Sequence, residues 1–90
     1  MVTAVVLINV DPPRTSAVAA SLSEMPGVTE VYSVAGNFDL VAIIRVSENE
    51  ALADLVGQVI RGVAGITRTE TLIAFRSYSQ YDLNSLFSMD

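Results

Sequence analysis

The sequence predicts an α+β domain with four strands and two helices in the order βαββαβ. Three observations carry this. Long apolar runs rich in β-branched residues open the chain and recur at residues 40–46 and 66–76. Between the strand segments, apolar residues fall at helical spacing in two stretches. A short motif also echoes itself: "PGVTEV" at 26–31 and "AGITRT" at 64–69 each follow a helical stretch and open a strand.

Taken in order, residues 2–10 form a run of little polarity closed by Asp11, Pro12 and Pro13, a strand and then a stop. Residues 14–25 place Val18, Leu22 and Met25 at helical spacing with Ala17 and Ala20 beside them, and Pro26-Gly27 ends that helix. Residues 28–35 and 40–46 are the second and third strands. Ser47 followed by Glu50 reads as a capping box, each side chain bonding the other residue's amide. The helix behind it carries Leu52, Leu55, Val56, Val59 and Ile60 on one face, with Gly62 as its terminator. Residues 66–76 are the fourth strand.

Two βαβ units with right-handed crossovers interleave into a four-stranded antiparallel sheet with both helices on one face, the ferredoxin-like arrangement. Its central strands are then the first and third. An antiparallel sheet with one wet face alternates apolar and polar residues. Here residues 4–8 and 40–44 run apolar without a break, so both faces of the sheet's middle are expected to be dry. The helices cover one face. A second copy's sheet is expected on the other, because so large an apolar patch rarely stands open. Residues 1–76 form the expected domain. Residues 77–90 are a more polar tail in which Leu83, Leu86 and Phe87 suit a short docking helix or an arm across a neighbour.

Composition narrows the function. The chain has 90 residues, one domain's length, and 51% of them are hydrophobic. A chain this small buries only about 60–65% of its unfolded surface, so an oligomer is expected. A net charge of −5, with five arginines and no lysine, cannot supply the basic stripe that nucleic acids require. Without cysteine there is no disulfide framework, and no segment reads as a membrane span or leader, so the expected compartment is the cytoplasm. With neither histidine nor cysteine the commonest general base, the thiolate nucleophile and most transition-metal sites are missing. No enzymatic activity, cofactor or metal is expected. Glu48 and Glu50 suit the dipole of the second helix, and Arg45, Arg68 and Arg76 are expected to pair with Glu30 or Glu70 across the sheet.

The turn Gly36-Asn37-Phe38-Asp39 is the one stretch that asks for a further explanation. Glycine, asparagine and aspartate follow turn chemistry, but an aromatic ring at a loop tip must either fold back or contact something. On the last strand Thr67, Thr69 and Thr71 share one face, as β-propensity alone would also allow. Together these residues could serve a free amino acid. Loop amides beside Gly36 would take its carboxylate and Asp39 its ammonium, with Phe38 and the threonines lining the rest.

These residues resemble the effector-binding domain of the Lrp/AsnC family of amino-acid-responsive transcription regulators. The resemblance rests on "MPGVTEVYSVAGNFDLVAIIRV" and "GVAGITRTETLIAF" and spans residues 2–76. It implies a domain that dimerises through its sheets, often as four dimers in a ring, with the effector between dimers near the turn joining the second and third strands. Gly36, Asn37, Phe38 and Asp39 match that turn, and Thr69 and Thr71 match late-strand polar positions. The family's N-terminal helix-turn-helix has no counterpart here, since Met1 leads straight into the first strand. The expectation is therefore a stand-alone, non-enzymatic amino-acid sensor acting on related DNA-binding regulators or on an enzyme of amino-acid metabolism. The competing readings are an ACT-type regulatory domain, a small dimeric α/β-barrel monooxygenase or isomerase, and an assembly domain without ligand.

Overall fold

A computed structural model describes residues 1–78. Strand β1 (Val2–Val10) leads through a 3-10 turn (Pro12–Arg14) into helix α1 (Thr15–Ser23). Strands β2 (Val28–Ser33) and β3 (Leu40–Val46) follow, then helix α2 (Asn49–Asp54) and strand β4 (Ile66–Ile73). The sheet is antiparallel in the order β2-β3-β1-β4, with the two most apolar strands in the middle as the sequence predicts.

Alternation along the central strands sets the core. Ala4, Val6, Ile8 and Val10 of β1 and Leu40, Ala42 and Ile44 of β3 are buried, meeting Val18 and Leu22 of α1 and Leu52, Leu55 and Ile60 of the second helical segment. Their neighbours Val5, Leu7, Val41 and Ile43 point to the opposite face and are half-buried among themselves. Leu72, paired with Val5, is 50% exposed on that face. The apolar run is thus one buried row and one outward row, which is why no polar alternation shows in the sequence.

Three local expectations are corrected. The capping box is not formed: the helix starts one residue late, Glu48 holds the cap position in extended backbone, and no side chain bonds there. Second, the chain after Asp54 widens into a π-helical turn (Leu55–Val59) before a closing 3-10 turn (Ile60–Gly62). The wider turn sets Ile60 under Leu55 and rotates Val59 outward to 47% exposure, so Val59 leaves the expected apolar stripe. Third, β2 and β4 stop at Ser33 and Ile73, short of the expected ends, and Arg76 lies beyond the sheet. The expected tail segment with Leu83, Leu86 and Phe87 lies outside the described residues.

The sequence echo has a structural counterpart. Gly27 and Gly65 both take positive φ, +96° and +100°, and each carbonyl accepts a strand-end amide: Arg45 N–H at 2.9 Å and Asp11 N–H at 2.8 Å. A Cβ on Gly27 would come within 2.9 Å of Val46 Cγ1, and one on Gly65 within 2.8 Å of Arg14 Cβ. Glycine is required at both by backbone angle and by space.

Candidate functional site

The strand order brings the β2–β3 turn, the end of β1 and the start of β4 to one end of the sheet. The turn is held there by β1. Asp39 donates its amide to the carbonyl of Ile8 at 2.9 Å, and its own carbonyl accepts from Val34 at 3.0 Å. The last ladder pair is Ile8 with Leu40, so the amide of Val10 has no β3 backbone partner. Asp39 Oδ2 supplies one, accepting from Val10 N–H at 3.0 Å. The Asn9 side-chain amide bridges the same carboxylate, at 3.4 Å, and the carbonyl of Asn37, at 2.9 Å. Gly36 takes a φ of +129° in open space.

Asp39 is therefore first a structural residue, its side chain extending the β1–β3 ladder past the end of β3. Asn9 is the part of this arrangement that the sequence reading missed. Its signal was a poor strand former inside an otherwise apolar strand.

Phe38, the unexplained member of the turn, is half-buried, and the guanidinium carbon of Arg68 lies 5.6 Å from its ring centroid. That distance is within cation–π range. Arg68 thus engages an aromatic face instead of the cross-strand carboxylate expected for it. Arg45 likewise donates to Thr29 Oγ1, at 3.3 Å.

The late-strand threonines part company. Thr67 and Thr69 line a polar cleft of about 500 Å³ with Arg61, Ile66 and Arg68. Thr71, opposite Val6, lines a separate apolar groove of about 800 Å³ with Asn49, Leu52, Val56 and Ile73. A single chain therefore brings Gly36, Asn37, Phe38, Asp39 and Thr69 to one end and leaves Thr71 further along the strand. Among the described residues no group of three or more acidic side chains gathers as a metal site would require, and no helix is long and apolar enough to cross a membrane.

Residues 3–83 match the model of the Lrp/AsnC ligand binding domain. The chain belongs to this family. Its fold agrees: a Thermus thermophilus protein, TTHA0845, superposes with a TM-score of 0.84 at 48% identity, over 89% of this chain and 100% of that one. A feast or famine regulatory protein of M. tuberculosis, solved in complex with L-methionine, superposes at 0.74 with 34% identity, over 89% of this chain and 54% of that one. An uncharacterized HTH-type transcriptional regulator of Pyrococcus horikoshii, PH1916, is 36% identical over 76 residues, 81% of this chain and 51% of its own length. This Lrp/AsnC domain spans about half the length of the curated relatives it matches.

Proposed function

We propose that this Lrp/AsnC domain is a non-enzymatic sensor of a free amino acid, acting in the cytoplasm as a sheet-to-sheet dimer that assembles into a larger ring. The observation that carries the reading is the 36–39 turn: hydrogen bonds from β1 fix it in place, while the amides around Gly36 stay available at the same end of the sheet as Thr69. A binding surface held on rigid strands loses little entropy when a ligand arrives. The similarity to a regulator solved with L-methionine supports an amino acid as the ligand class.

In this reading Gly36, Asn37, Phe38, Asp39 and Thr69 contact the ligand. Asp39 takes the ammonium through the carboxylate that also braces the turn. Thr71 belongs to the site when a ligand or a second copy reaches the neighbouring groove. The outward row Val5, Leu7, Val41, Ile43 and Leu72 supplies the dimer surface. Output passes through protein partners, DNA-binding relatives or an enzyme of amino-acid metabolism, since a chain of net charge −5 is a poor ligand for nucleic acid.

A thermal-shift screen against the twenty free amino acids, with oligomer size followed by light scattering, tests this. A ligand at about a hundred times its dissociation constant adds roughly 2.7 kcal/mol, several degrees for a domain this small. A shift with one or a few amino acids is expected. No shift with any of the twenty from a folded dimer or ring would leave an assembly module instead of a sensor.

A further inference from the structure

We infer that the ring of Phe38 serves a second copy of this chain: stacked on Arg68, it carries the dimer surface up to the 36–39 turn, so that the turn is clamped when two sheets meet. The inference rests on the sheet-to-sheet dimer and deepens it, leaving Phe38 its backbone amide for the ligand.

Register assigns the faces. Val5 pairs with Ile43 and Leu72, Leu7 with Val41 and Glu70, and Asn9 with Arg68, so these side chains stand on the face away from the helices. Arg68 is therefore on the open face. Phe38, its ring centroid 5.6 Å from the Arg68 guanidinium carbon, folds back onto that same face. The stack continues the outward row Val5, Leu7, Val41, Ile43 and Leu72 past the end of β3. That position accounts for an aromatic residue in a turn whose other members follow turn chemistry.

One cross-strand pair grips three consecutive residues of the turn. Asn9 holds the carbonyl of Asn37 at 2.9 Å and the carboxylate of Asp39 at 3.4 Å, while its neighbour Arg68 holds the ring of Phe38. Cation–π contacts and hydrogen bonds both strengthen when water is excluded. A sheet laid over this face therefore tightens the grip. The charges suit a second copy as the cover. A chain of net charge −5 repels itself, so copies meet most readily across a surface that does not carry the excess. Glu30 pairs with Ile43 and Arg45 with Thr3, which adds both to Arg68 and Glu70 on the open face: two arginines and two glutamates. Asp39, at the end of that face, is already engaged by Val10 and Asn9. The face is an apolar centre with a balanced polar surround, self-complementary as a two-fold contact requires.

Sedimentation equilibrium of the full chain, with hydrogen exchange followed at the turn, tests this. Phe38→Ala is expected to weaken the dimer roughly tenfold or more, because a two-fold contact loses the ring from both copies, and Arg68→Ala to weaken it by a smaller factor. In the wild type the amides of residues 36–39 should exchange about tenfold more slowly where the dimer prevails than on dilution to monomer, a slowing beyond any in α1. Phe38→Ala should abolish that difference. Phe38 lies outside the buried core, and a melting curve checks that the variant folds. If both variants dimerise like the wild type, or exchange at the turn does not respond to concentration, the inference falls while the sheet dimer and the sensor reading stand. A chain that stays monomeric, or a dimer that survives Val41→Asp, overturns the sheet-to-sheet reading and this inference with it.

Discussion

Val10 donates its amide to the Asp39 carboxylate at 3.0 Å, across the gap where strand β3 has not yet begun. Val10 is 6% exposed, so without Asp39 its N–H would have neither a partner nor much access to water. Leaving a buried donor unsatisfied costs about 1–3 kcal/mol. Asp39→Ala is accordingly expected to destabilise the fold by that amount in urea unfolding. A loss of ligand binding in this variant would mix two effects, so Asp39→Asn, which keeps an acceptor for Val10 but removes the charge, is the cleaner probe of the ammonium contact. It should weaken amino-acid binding with little loss of stability.

Gly65 and Gly27 mark the two halves of the internal echo. Substituting Gly65→Ala asks an L side chain to hold a φ of +100° and to sit 2.8 Å from Arg14 Cβ. Left-handed backbone costs roughly 1–2 kcal/mol before any clash is counted. Both Gly65→Ala and Gly27→Ala should lower the melting temperature, whereas Gly57→Ala, with open space around it, should not.

The outward row on the sheet gives a separable test of assembly. Val41→Asp places a charge among Val5, Leu7 and Ile43 without touching the buried row Leu40, Ala42 and Ile44. The expected outcome in sedimentation analysis is loss of the dimer with secondary structure retained. A dimer that survives Val41→Asp would place the interface elsewhere.

On the same face, at the edge strand, the Tyr32 hydroxyl donates to the Glu30 carboxylate. The bond favours the neutral phenol, and the neighbouring negative charge disfavours the phenolate, so the Tyr32 pKa is raised above 10.0. A raised pKa in the folded state means this contact contributes fully below the unfolded value and is lost as pH rises through the folded one. Both groups are on the surface, so the effect on stability is small. Glu30→Gln should bring the Tyr32 titration, followed by NMR, down toward its ordinary value.

Much of the fold was legible because each element carried its own signal. Strands β1 and β3 announced themselves as unbroken apolar runs, and Pro26-Gly27 stopped the first helix where a turn was needed. The second helix was legible as a helix but not in its pitch. The i+5 spacing of Leu55 and Ile60 fits a π turn, yet the neighbouring Val56 and Val59 disguise it as an ordinary apolar stripe. Within the candidate site, the turn could be read from Gly36-Asn37-Phe38-Asp39. Its anchor Asn9 lies 30 residues from Asp39, and no local pattern connects them.

The sequence by itself determined the order of elements, the apolar middle of the sheet, the family and the position of the turn, because periodicity and turn chemistry are local properties of the chain. Only the tertiary structure decided what those residues do to one another. It assigned Asp39 to the amide of Val10 and Phe38 to the guanidinium of Arg68, and sent Thr71 to a different groove from Thr69. Each of these depends on which strands become neighbours and in what register, and register is settled by the burial of the whole sheet rather than by any segment of it.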